Sequence, residues 1–122
     1  MSKAIRKTSC SVVEQTEASV EFQRDVAERL IKYGRMVVAR GYIHNSLGNI
    51  AIRVPHPTFP HGVVYAKHAG VSLEEMELEH VVITDIPTDR LLHGTVPTSV
   101  GHQLNREILR LRPDINAVIH VH

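Results

Sequence analysis

Two histidines separated by one residue, His120 and His122, stand at the end of the sequence. On a β-strand, side chains two apart share a face, so both imidazoles can reach one ion. The run Ile115-Asn116-Ala117-Val118-Ile119 before them is apolar and β-branched enough to form that strand. Neutral imidazole is a good zinc ligand, so the pair is a candidate chelate; a buried or interfacial histidine pair is the alternative.

Three loops have residue types suited to an anion. Ser46-Leu47-Gly48-Asn49 offers close backbone approach at glycine and amide donors at Asn49. Lys67-His68-Ala69-Gly70 sets cations and a glycine just before an expected helix start, where free N–H groups favour phosphate or carboxylate. Pro97-Thr98-Ser99 places two hydroxyls before another helix. A plain turn or helix cap would use the same residues, so each loop is modest evidence alone.

The elements that must hold these groups follow from periodicity. Val20, Val26, Ala27, Leu30, Ile31, Met36 and Val37 fall mostly on one helical face, which predicts a helix over about 17–40 ended by Gly41. Ile50, Ile52 and Val54 alternate as a half-buried strand, and a second strand over 62–67 follows a loop holding Pro55, Pro57 and Pro60. Ser72 and Glu75 have capping-box spacing and predict a short helix to about Glu79. A third strand spans 81–86, the Pro87-Thr88-Asp89 turn follows, and Arg90-Leu91-Leu92 makes a short return strand. A helix with Leu104, Ile108, Leu109 and Leu111, capped by Thr98 or Ser99, ends by Pro113; the last strand covers about 116–121. The order describes one α+β or α/β domain over 17–122 behind a flexible tail over 1–16.

Composition narrows the classes. The 122 residues are 43% hydrophobic and 22% charged, with a net charge of +1 and scattered basic residues, which does not favour nucleic acid. No apolar run approaches a membrane span, and the start lacks the apolar core of a secretory signal. The single cysteine, Cys10, excludes an internal disulfide and fits a reducing, cytoplasmic setting. Nine histidines is a high count, and they are spread along the chain.

Taken in order, these motifs resemble the class II aldolase/adducin family. Arg112-Pro-Asp-Ile-Asn-Ala-Val-Ile-His-Val-His122 is similar to the family's His-x-His segment, and Gly48-Asn49-Ile-Ala-Ile-Arg53 to its Gly-Asn-(Ile/Val)-Ser-x-Arg segment. Gly70 and the Pro97-Thr98-Ser99 loop appear in the family's order, so the likeness covers about residues 20–122. It implies an α/β/α layered fold on a mostly antiparallel central sheet flanked by helices, here incomplete, in a homotetramer or other homo-oligomer. It implies a lyase of carbohydrate metabolism that cleaves a small hydroxy-carbonyl compound, a sugar phosphate or sugar acid, through a metal-stabilised enediolate, with decarboxylation, dehydration or epimerisation as the alternative reactions. By the resemblance His120 and His122 are metal ligands, for zinc or alternatively manganese. Asn49, Gly70, Thr98 and Ser99 then belong to the substrate's anionic end, and Lys67 and His68 join them from the reading of their own loop as an anion cradle. A non-catalytic adducin-like association domain or an inert fragment is the other expectation.

Two departures bear on chemistry. Family aldolases follow the Pro-Ser-Ser loop with an acid/base Glu, whereas Val100 and Gly101 follow Ser99 here, and Glu107 is the first carboxylate beyond. His102 is the candidate acid/base in its place. The family's third metal-binding His lies well downstream of the pair, so the sequence reads as the N-terminal part of a family protein. Ala69 also stands where a hydroxyl usually sits beside Gly70.

Overall fold

The computed structural model describes residues 20–43 and 48–121. The tail over 1–16, the Ser46-Leu47 half of the first loop, and His122 lie outside the described residues. Helix α1 (Arg24–Ala39) leads to β1 (Asn49–Val54), β2 (Val63–Lys67), a 3-10 turn (Leu78–His80) and β3 (Val81–Asp85). Then come β4 (Leu91–His93), α2 (His102–Leu111) and β5 (Ala117–His120). The five strands form one antiparallel sheet in the order β4-β3-β2-β1-β5, with a helix on each face. This is the layered α/β fold with an antiparallel sheet that the sequence implies. No described helix is long and apolar enough to cross a membrane.

Helix α1 buries Val26, Ala27, Leu30, Ile31 and Gly34, the stripe expected of a 3.6-residue period. It packs on Ile50, Val63, Tyr65, Val81 and Ile83, with Leu73 and Met76 filling one side. Its end is a Schellman motif: Tyr42 N–H donates to the Val37 carbonyl (3.0 Å) and Gly41 N–H to that of Val38 (2.9 Å). Gly41 makes this possible at φ +80°, where a Cβ would be strained. The helix starts later than its periodicity suggests. Phe22 instead stacks on His93 (4.5 Å between ring centroids), and Gln23 N–H donates to Tyr65 Oη (2.8 Å), which keeps residues 20–23 out of the helix.

Two other local expectations are corrected. Ser72 and Glu75 do bond each other, Glu75 N–H donating to Ser72 Oγ (3.2 Å) and the hydroxyl to Glu75 Oε1 (3.0 Å). They close only a turn; beyond it Arg35 Nη2 donates to the Met76 carbonyl (3.0 Å) and His80 Nδ1 accepts the Glu77 N–H (2.9 Å). Only the 3-10 turn follows. Neither Thr98 nor Ser99 caps α2: the N-cap is Gly101, and no side chain caps it. The Thr98 hydroxyl points to the Asp89 carboxylate instead (3.3 Å to Oδ2).

Helix α2 also turns an unexpected face inward. Its buried residues are His102, Asn105 and Leu109, while Leu104 and Leu111 are exposed. Ala51, Val64, Ile86 and Leu109 make a small apolar cluster on this side of the sheet, flanked by Ile115 and Val118.

Candidate active site at the β1–β5 edge

The strand register brings Asn49 directly opposite His120, with Ala51 opposite Val118. Directly paired residues share a face, and Asn49 and Ala51, two apart, share the face against α2. Gly48 makes the approach to β1 at φ +87°, where a Cβ would stand 2.8 Å from the His120 carbonyl oxygen and 2.6 Å from Ile43. Any side chain there would push the two strand ends apart.

Helix α2 completes this corner. Asn105 Nδ2 donates to Asn49 Oδ1, so the two buried amides lock together. A Cβ on Gly101 would collide with Asn49 Nδ2 and would come within 3.7 Å of His120 Nδ1. The start of α2 is therefore notched where the amide and the imidazole meet it. An open cleft runs outward from this point, lined by Val100, Gly101, Gln103, Leu104, Glu107 and His120. Glu107 is hydrogen-bonded to Arg110, which holds its carboxyl below the usual range and keeps a charged carboxylate on the cleft wall.

A second group gathers where two loops touch. His68 pairs with Thr98 in an isolated bridge, and Ala69 N–H donates to the Pro97 carbonyl (2.9 Å). His68 Nδ1 lies 2.6 Å from the Ala69 carbonyl, so that nitrogen bears the proton, and the ring meets His80 edge-on at 5.2 Å. Gly70 is exposed at φ +89° with open space around it. The Ser99 carbonyl accepts the His102 N–H (3.0 Å). Lys67 pairs with Val81 and so alternates onto the α1 face, away from Asn49 and His120. It is only 4% exposed, and its ammonium forms no ion pair or hydrogen bond with the described residues; burial lowers its pKa.

His102 sits inside the α2–sheet interface, 1% exposed, with Nε2 3.1 Å from Thr84 Oγ1. Burial lowers its pKa to about 4; Asp89, 3.9 Å away, opposes this and Arg106 reinforces it. Its ring is among the buried residues of α2, and none of the cleft-lining side chains is His102. Asp89, at φ +61°, also pairs with Arg106 Nε (3.4 Å), and Arg106 Nη1 donates to the Ile86 carbonyl (2.5 Å). Asn105, Gly101, Asp89 and Arg106 were not singled out in the sequence. Only the packing of α2 reveals them, since helical spacing alone could not show which face turns inward.

The structure thus joins Asn49, Gly101 and His120 at one corner, and His68 with Thr98 at another. Among the described residues, no three His, Cys, Asp or Glu side chains come together as a metal cage.

Residues 28–122 match the model of the class II aldolase and adducin N-terminal domain, and the chain belongs to that family. No curated protein matches it. Among solved structures it is similar to an L-fuculose 1-phosphate aldolase, at 24% identity and a TM-score of 0.70, over 83% of this chain and 45% of that one. It is also similar to an aldolase II superfamily protein from Pseudomonas syringae, at 21% identity and a TM-score of 0.71, over 93% and 43% of the two chains. A third is the L-fuculose 1-phosphate aldolase of Glaciozyma antarctica, at 16% identity and a TM-score of 0.68, over 89% and 47%. At these identities the likeness is one of fold. The chain spans slightly less than half the length of each of these three relatives.

Proposed function

We propose that this chain carries part of an aldolase-type active site that holds a divalent metal and acts on a small hydroxy-carbonyl compound with an anionic end. The observation behind this reading is the meeting of Asn49, Gly101 and His120 at the mouth of one cleft. The residues present fit a metal in part. An imidazole stands at a strand end beside a notch that any side chain at position 101 would fill. His122, two residues further on in the sequence, is the second imidazole of this reading. Zinc suits this donor set best, with manganese second. When bound, such an ion supplies Lewis acidity toward a carbonyl oxygen.

The other residues take the substrate's charge. Lys67 is not among them: its buried side chain is on the α1 face of the sheet, away from Asn49 and His120. His68, Gly70, Thr98 and Ser99 offer ring, backbone and hydroxyl donors in two loops already bonded to each other. Asn49 keeps its amide nitrogen beside Gly101 while its oxygen is held by Asn105. The family neighbours named L-fuculose 1-phosphate aldolase make a sugar phosphate the first substrate class to try.

A second reading is an association domain. Val100, Leu104, Ile119 and Val121 are exposed around the cleft and the β5 edge, an apolar surface of the kind that partners cover, in a homo-oligomer or an adducin-like contact. Zinc titration separates the two. Metal-stripped protein should take up zinc at one tight site, and His120→Ala or His122→Ala should weaken it by more than about 100-fold. Equal uptake by the original protein and by a variant lacking both histidines would overturn the metal-site reading.

A further inference from the structure

Arg53 lines a cavity with Pro55, His56, Phe59, His61 and Pro113, a setting that at first suggests an anion pocket. Its hydrogen bonds exclude that use. A guanidinium has five N–H donors, and each of Arg53's is spent on a neutral oxygen. Nη1 donates to the carbonyls of Leu109 (2.8 Å) and His61 (3.4 Å). Nη2 donates to those of Arg112 (2.9 Å) and Ile115 (2.5 Å), and Nε to Asn116 Oδ1 (3.4 Å). The residue is 9% exposed.

Four of these five acceptors are the end of α2 and the lead-in to β5; the His61 carbonyl belongs to the loop between β1 and β2. Leu109 lies in the last turn of α2, where carbonyls lack helical partners, and a cation suits the negative end of the helix dipole. Arg112, Ile115 and Asn116 form the link to β5, and the Arg53 backbone N–H also bonds the Asn116 carbonyl (2.7 Å). From there the register runs Ile52 to Ala117, Ala51 to Val118, Ile50 to Ile119 and Asn49 to His120. A slip of one residue would send His120 to the opposite face of the sheet.

We infer that Arg53 is a positioning residue for the His120 site: its guanidinium pins the α2–β5 link to β1 and thereby sets the register that places His120 against Asn49 and Gly101. The inference deepens the metal-site reading and rests on it for its consequence in metal binding. Lysine keeps the charge but is a point charge with three donors, so it cannot serve five acceptors spread around a planar fork.

The test compares Arg53→Lys with Val26→Ala, a buried change on the opposite face of the sheet. Two readouts are taken: zinc affinity by competition with a coloured chelator, and amide hydrogen exchange across 117–120 in zinc-free protein. Arg53→Lys should weaken zinc about tenfold or more and speed exchange at 117–120. Val26→Ala should lower the melting temperature while leaving both unchanged. If the two variants match in both readouts, the inference is overturned. If the original protein takes up no zinc, the metal-site reading fails by itself, and exchange alone decides the role of Arg53. If Arg53→Lys does not fold, Asn116→Ala removes one acceptor of the five and should speed exchange at 117–120 by a smaller factor; no change there would also overturn it.

Discussion

The two faces of the sheet are built from different materials. On the α1 face, Val26, Ala27, Leu30 and Ile31 meet Ile50, Val63, Tyr65, Val81 and Ile83, and nearly every contact is hydrocarbon. On the α2 face, only Ala51, Val64, Ile86 and Leu109 form a buried apolar cluster. The rest of that interface is Asn49 with Asn105, Thr84 with His102, Asp89 with Arg106, and Arg53 with the carbonyls of the α2–β5 link. Apolar packing is strong but tolerant of small shifts, whereas hydrogen bonds between buried groups fix distance and direction. The first face therefore supplies stability and the second supplies placement. The candidate site lies wholly at the edge of the second.

The largest effect expected from this contrast is on the first face. Leu30 is fully buried, and Leu30→Ala should cost about 3 kcal/mol of stability by leaving a cavity in the α1 core. Urea unfolding would measure it. Zinc affinity of the remaining folded protein should not change, since Leu30 is on the face away from His120. A matching loss of zinc affinity would erase the division of labour between the faces.

Next in size is a pH effect confined to the second face. Burial lowers the His102 pKa from 6.5 to about 4, so the folded state binds this proton less readily than the unfolded state. Above about pH 6.5 both states hold a neutral ring and no cost arises. As pH falls through the window between 6.5 and 4, the unfolded chain takes up a proton that the folded one refuses, and stability is lost. The loss should reach about 2 kcal/mol by pH 5. Urea titrations at pH 7 and pH 5 should show this slope in the original protein and a flatter one in His102→Gln. Equal slopes would place the sensitivity elsewhere.

This contrast also explains what could be read from the sequence. The α1 face follows hydrophobic period and turn chemistry, and both are visible in the chain: the alternation of Ile50, Ile52 and Val54, and Gly41 as a helix end. The family likeness was legible too, because Asn49, Arg53, His120 and His122 keep their types and order. The α2 face is where pattern misleads. Leu104 and Leu111 look like core residues but are exposed, while His102 and Asn105 look like surface residues but are buried. A helix that docks through side-chain hydrogen bonds need not turn its apolar stripe inward. The opposition of Asn49 and His120 also depends on strand register across 71 positions, which no local pattern encodes. The Ser72–Glu75 box shows the converse: its bonds form, yet only a 3-10 turn follows it.

The smallest effect on stability should come from Gly101, and it tests the site most directly. The added methyl of Gly101→Ala would meet the Asn49 amide nitrogen and approach His120. Gly101 has φ −63° and ψ −18°, helical values that alanine adopts readily, so backbone strain does not enter. The cost is overpacking alone, about 1 kcal/mol once Asn49 shifts. The consequence for the site should be out of proportion to that cost. Asn49 cannot move without loosening its bond to Asn105, and His120 stands opposite Asn49 in the ladder. The His120 ring resonances should therefore shift in NMR spectra, and zinc affinity should fall several-fold, while melting changes by only a few degrees. Unchanged ring resonances would mean that the notch in α2 is incidental to the position of His120.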